Sequence, residues 1–275
     1  MSAQEPSLPL ERELGRLARR VRQDGLPHPH RPEATMALAL AVRDVLRDTA
    51  LPDRAARAGA LVCRVLERTV DNLPRPAAGQ AIACRPGCAY CCHKTVMATA
   101  PEVFFAAAEL RARRGPAFRA EVEARCAAAV APAGAPAGRV RPRPCPLLED
   151  DRCSVYAARP TVCRKHTSFA VAACLADYQG TGTAIPIRRH DQEAFECCAA
   201  ALMVGMRLWA GGPHRGRVLE LRGALAVALR EPQAEARWLA GEDVFAAVAG
   251  QRELPGIDGH AAFLWTRFVE PAAGP

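Results

Sequence analysis

Four thiols lie within nine residues of this chain: Cys84, Cys88, Cys91 and Cys92, on a stretch broken by Pro86 and Gly87. A loop kinked in this way can curl several thiolates around one centre, which a straight helix cannot do at these spacings. Three more cysteines follow at Cys145, Cys153 and Cys163, where two short apolar runs flank the polar stretch Glu149-Asp150-Asp151-Arg152. A hairpin there would present its thiols much as the knuckle of a zinc ribbon does. Thiolates are the soft donors that zinc, iron and iron–sulfur clusters select. A single cysteine packs as a small hydrophobe, but four in nine residues do not fit that description.

The seven thiols of the two blocks fall one short of two four-thiolate sites, and Cys197 or Cys198 could supply an eighth. That pair sits in a helical pattern, where adjacent residues point about 100° apart, so one of the two can face a given centre. His93 and His166 flank the blocks and are alternative ligands, although hydrogen bonding or packing is the plainer role for each. Cys63, Cys126 and Cys174 lie among Ala, Val and Leu in helical segments and read as packing residues. Arg159 and Arg164 could offset thiolate charge or pair with Glu149 or Asp150. Tyr90 and Tyr156 read as packing around the cysteines, and Phe104, Phe105, Trp209, Trp238 and Trp265 as core anchors.

The order Cys84-x3-Cys88-x2-Cys91-Cys92, then Cys145-Pro146-Leu147-Leu148, Cys153-Ser154-Val155-Tyr156, Arg159-Pro160 and Cys163-Arg164, resembles the YkgJ-type cysteine-cluster family. This family is also called the CxxCxxCC or zinc- or iron-chelating domain. The resemblance covers about residues 80 to 170. It implies cysteine-bound metal: an iron–sulfur cluster or iron, with zinc as the alternative. It further implies a loosely labelled oxidoreductase, and a related cluster occurs in flagellin lysine methylases, which makes a protein or peptide a candidate substrate. The family's reaction is not fixed by these residues. The stretch Cys84-x3-Cys88-x-Tyr90-Cys91 also resembles the radical S-adenosylmethionine signature. That family needs an α/β barrel after the motif, and helices and a linker stand there instead.

Helices must position the thiols. Leu10, Leu14, Leu17 and Val21 recur at helical spacing up to Asp24-Gly25. A second helix opens at Pro32-Glu33, and a third runs from Pro52 to about Asn72. Thr99-Ala100-Pro101-Glu102 reads as a capping box. Another helix follows from Gly115 to about Val130, and Ala131 to Pro144 is Ala-Pro-Gly-Arg low complexity, a connector. Further helices are expected over Ser168 to Tyr178, Asp191 to Ala210, Arg217 to Arg230 and Glu242 to Ala249. The fold class is therefore mainly α, a helical bundle around an irregular cysteine-rich island with a short β-hairpin. Three regions follow: a helical extension over 1–75, the cysteine-cluster domain over 76–170 interrupted by helices and the 131–144 linker, and a helical region over 171–275 packing on it.

Composition agrees. Of 275 residues half are hydrophobic and 24% are charged, which excludes a wholly disordered chain. Alanine is abundant and aromatics are 5%, so helices must pack closely. The formal charge of +8 comes from 35 Arg and only two Lys, Lys94 and Lys165, mostly interleaved with acids. No basic block alternates with stacking aromatics, which argues against nucleic acid as a partner. No stretch is long and apolar enough for a membrane span, and Met1 to Leu10 lacks the pattern of a secretory signal. A cytoplasmic, reducing location is the expectation, and there twelve cysteines are thiols or metal ligands in place of disulfides. No nucleophile triad, P-loop or dinucleotide fingerprint appears, and Gly180-Thr181-Gly182-Thr183 is too short to cradle phosphate. Three functions remain in play: an iron or iron–sulfur protein in redox chemistry or protein modification, a zinc-stapled interaction module, and an iron- or zinc-handling protein.

Overall fold

A computed structural model describes residues 8–27, 31–74, 81–129, 144–181, 185–186, 188–210, 216–251 and 255–270. Eleven α-helices dominate the described residues, as expected. The first three, α1 (Leu8–Asp24), α2 (Pro32–Arg47) and α3 (Arg54–Asp71), begin and end close to where periodicity and turn residues place them. Strand β1 (Met97–Thr99) feeds α4 (Ala100–Arg113), and α5 (Pro116–Ala129) follows. The connector expected over 131–144 lies, apart from Pro144, outside the described residues. Strands β2 (Leu148–Glu149) and β3 (Arg152–Cys153) form the expected hairpin, and α6 (Thr161–Lys165) and α7 (Val171–Tyr178) complete the island. Helix α8 (Arg189–Trp209) is the longest; β4 (Val218–Glu220), α9 (Leu221–Arg230), α10 (Ala234–Leu239), β5 (Gly250–Gln251) and α11 (Pro255–Phe268) end the described chain.

Two expectations fail locally. Residues 218–220 are a strand and not the first turn of α9, because they pair antiparallel with β1 and β5 in a three-stranded sheet of order β1-β4-β5. The helix expected over Glu242 to Ala249 is a series of turns. There Phe245 and Val248 drop into the core, and the segment hands its backbone to β5.

One apolar core runs through helices of all three regions, from Leu14 to Val269. Helix α2 lies at its centre, and α8 packs along it. Their contact is made close by small residues: a side chain at Gly205 would come within 2.6 Å of the Ala39 carbonyl and 2.7 Å of Val42. Gly59 does the same for α3 against α4, where an added Cβ would meet the Pro101 carbonyl at 2.3 Å. The alanine-rich composition is thus used as expected, for backbone approach in place of side-chain bulk.

The capping box of α4 is present and extended. Glu102 is buried; its Oε2 accepts from the Thr99 amide and hydroxyl, each at 2.8 Å. Its Oε1 accepts from the Thr161 amide at 2.8 Å and hydroxyl at 2.6 Å. A single carboxylate therefore caps α4 and α6 together. Helix α6 carries Cys163, so the cap fixes a thiol-bearing element to the body.

Candidate metal centre

The loop from Ala83 to Lys94 is held by its own turns and by two neighbours. Gly87 takes φ +86°, which only glycine adopts freely, and lets the Cys88 amide fold back onto the Arg85 carbonyl. A 3₁₀ turn over Tyr90–His93 then presents Cys91 and Cys92 in succession. The Ala83 amide bonds to the Ser168 carbonyl at 2.8 Å, and Cys84 Sγ accepts from the Ser168 amide at 3.3 Å.

The second block meets the first through the main chain. The Cys145 amide donates to the Cys92 carbonyl at 2.7 Å. Asp150 and Asp151 at the hairpin tip take φ of 47° and 57°, the left-handed pair of a type I′ turn, and the register sets Leu148 opposite Cys153. Arg164 is buried behind the hairpin. It donates to the Ala157 carbonyl at 2.7 Å, the Arg159 carbonyl at 3.2 Å and Glu67 Oε1 at 3.1 Å. It therefore braces the block against α3, while Glu149 pairs with Arg114 at 2.6 Å. Cys63 on α3 donates its thiol to the Arg159 carbonyl at 3.7 Å.

The two blocks share one electrostatic neighbourhood. Burial pushes the Cys163 thiol well up, and the charges of Cys145, Cys153 and Cys91 add to it. Cys145 is pushed up to about 11, first by burial, and Cys153 is raised for the same reason. Cys92 is raised because it donates its proton to Cys91, and Cys145 and Cys163 also act on it. Cys91 is lowered to about 6, chiefly by accepting from Cys92, with help from Arg159 and Lys94. Cys84 is raised by burial, against the Ser168 amide, with Cys88, Cys91 and Cys174 contributing.

Cys174, which the sequence reading placed among the packing residues, is buried on α7, and its charge also acts on Cys84 beside the thiols of the two blocks, Cys84, Cys88, Cys91, Cys92, Cys145, Cys153 and Cys163. Cys197 and Cys198 do not join them. Both lie in the core on the buried side of α8, where Cys197 hydrogen-bonds Thr35 and the thiols acting on Cys198 are Cys197 and Cys63. His93 bonds the Ala89 carbonyl through Nδ1 at 3.1 Å and meets Tyr178 edge-on at 4.8 Å, a packing role. His166 offers its main-chain carbonyl to Cys84 Sγ at 3.7 Å, and burial lowers the pKa of its ring.

The donor set suits a soft cation. Among the described residues no three thiol, imidazole or carboxylate groups close on one point at ligand distance, so the thiols are gathered but not drawn together. Two buried donors beside them, Arg159 Nε and Ser154 Oγ, have no hydrogen-bond partner. A negatively charged thiolate centre would supply the acceptor that such groups need. Arg159 also lies 4.1 Å over the Tyr156 ring, which holds its guanidinium in place beside Cys91 and Cys153. On the Cys88 side the loop opens to a cavity of about 330 Å3 lined by Cys88, Tyr90, His93 and Tyr178.

A cysteine-rich domain seated on a helical body is the class that fold and site define. Residues 83–189, less than half of the chain, match the model of the CxxCxxCC family, "Putative zinc- or iron-chelating domain". The match spans both cysteine blocks and reaches past Cys174 to the start of α8. No curated protein and no solved structure gives a significant match to the chain. No helix among the described residues is long and apolar enough to cross a membrane.

Proposed function

We propose that the protein holds iron among the seven thiols of the two blocks, with Cys174 as an eighth donor, as an iron–sulfur cluster ahead of a mononuclear centre, and serves redox chemistry or modification of a protein or peptide in the cytoplasm. The observation that carries this reading is the position of Cys91. It accepts a hydrogen bond from Cys92, whose carbonyl takes the Cys145 amide and so joins the two blocks, and its charge acts on Cys84, Cys153 and Cys163. Eight thiols around such a junction exceed the four that a closed structural zinc takes, and they suit a cluster with neighbouring thiols or two adjacent centres. Cys84, Cys88, Cys91 and Cys174 would hold one side, and Cys92, Cys145, Cys153 and Cys163 the other.

When bound, such a centre supplies one-electron chemistry. The chain's own residues do the rest. Arg159 and Arg164 offset the thiolate charge, and Cys145 and Cys163 are partly shielded from water on that side. The aromatic-walled cavity at Cys88 gives a substrate group its approach. Zinc is the second reading, favoured by the even division of the thiols into two sets of four, each enough for a tetrahedral site. Protein purified without oxygen should be brown, with broad visible absorption, iron and labile sulfide. Near-stoichiometric zinc with neither iron nor sulfide would replace the iron reading with the zinc-stapled module.

A further inference from the structure

Helix α6 has two occupied faces. Cys163 turns to the thiols, whereas Val162 and Lys165, three residues apart, line a separate cavity of about 270 Å3 between α6, α8, α11 and strands β1 and β4. This volume lies near the lower end of the ~300–1,000 Å3 typical of small-ligand pockets. Its wall is largely apolar, with Met97, Phe195, Met203 and Ile257 among the lining side chains.

One charge in that wall makes no ion pair. The Lys165 ammonium sits 4.6 Å over the Phe195 ring, and no carboxylate among the described residues lies within ion-pair distance of it. Of the two acids of the cavity, Glu196 acts on Lys165 from beyond ion-pair distance, and both have hydrogen-bond partners of their own. Glu196 accepts from Gln192 Nε2 at 2.6 Å and faces His260 Nε2 at 3.5 Å, and both oxygens of Glu102 are taken up by Thr99 and Thr161. The residue type is itself unusual in a chain with 35 Arg and two Lys. The other lysine, Lys94, is paired with Asp177 at 2.6 Å. Lys165 is only partly buried, and a ligand that brings an anion into contact would complete its pairing. An ammonium is a compact point charge with three donors, suited to one carboxylate at the end of a narrow apolar slot.

We propose that this cavity is a ligand site for a small organic carboxylate with an apolar body, the acid on Lys165 Nζ and the body along Phe195, Met203 and Ile257. The site lies across α6 from the thiols and does not depend on which metal they hold. A short acid lacks the apolar area and a long chain exceeds the volume, so the site favours acids of intermediate size.

Calorimetry on the full-length protein, as isolated with its metal, tests this with octanoate, octanol, octylamine, butanoate and hexadecanoate. Octanoate should bind at one site and raise the melting temperature. Octanol and octylamine should bind at least tenfold more weakly, as should the shorter and longer acids. Lys165→Met should cost octanoate at least tenfold while leaving bound metal unchanged, and Ile257→Trp, which fills the cavity, should abolish binding. If octanol binds as well as octanoate, or octanoate fails to bind at millimolar concentration, the proposal is wrong whatever the variants do. Undiminished octanoate binding by folded Lys165→Met protein would overturn it equally.

Discussion

Two adjacent cysteine pairs occur in this chain, and their surroundings are opposite. Cys91 and Cys92 lie in a 3₁₀ turn, half-buried, with Arg159 and Lys94 close enough to favour a thiolate. Cys197 and Cys198 lie mid-helix in α8, buried among alanines, with Glu193 and Glu196 the nearest charges acting on Cys197. In the first pair the hydrogen bond from Cys92 lowers Cys91 and raises Cys92; in the second, burial pushes both thiols up, Cys197 to about 11. Backbone and neighbouring charge decide what a cysteine can do, and the dipeptide alone decides nothing.

The largest expected difference is in metal content. Cys91→Ser should remove the bound metal, since loss of a ligand exceeds the ~10–100-fold that loss of an outer partner costs. Cys198→Ser should leave metal intact and instead destabilise the protein by ~1–3 kcal/mol, the cost of a buried hydroxyl lacking a good partner. Elemental analysis and denaturant melts of the two variants check this, and equal metal loss would erase the distinction.

A smaller effect separates the pairs by reactivity. In metal-free protein an alkylating reagent should modify Cys91 first, because the thiolate is the nucleophile. Its rate should hold steady above neutral pH and fall about tenfold per pH unit well below about 6, as the sulfur takes up its proton. Cys197 and Cys198 should react only on unfolding. Peptide mapping after brief labelling across pH reads both, and early labelling of Cys198 would contradict the burial described.

The smallest effect sharpens the island alone. Asp151→Gly places glycine at the second left-handed position of the hairpin, where type I′ turns favour it, and should stabilise by up to ~1 kcal/mol. A thermal melt reads the gain; a clear loss would mean that the aspartate side chain holds the turn by bonds of its own.

Much of this was legible in advance. Helices α1 to α4 follow from apolar spacing and caps, and the hairpin from its two apolar runs around four polar residues. The family resemblance rested on two blocks in order, and it holds. Three features were hidden. Residues 218–220 look helical because Val218 and Leu219 suit either period, and their strand exists by pairing with β5 on one side and with Met97–Thr99, more than a hundred residues away, on the other. Cys174 and Cys198 both sit between apolar neighbours, yet α7 packs on the 3₁₀ turn and α8 on α2, so one lies beside the cysteine loop and the other in the core. Glu102 was read as a local cap. Its second pair of bonds depends on Thr161, which sequence distance conceals.

The bond from the Cys145 amide to the Cys92 carbonyl joins the two blocks without using a single sulfur. Together with the Arg164 brace and the shared cap at Glu102, it gives the island a frame made of main chain and carboxylate. Such a frame behaves as a socket, in which the shape and the occupant are separate things. An ion could leave and another enter while the walls stay in register, so the exchange rate would be set by proton release from the raised thiols and not by refolding. Under the proposed reading, which soft metal fills the socket would follow from supply, and the frame would stay the same for either.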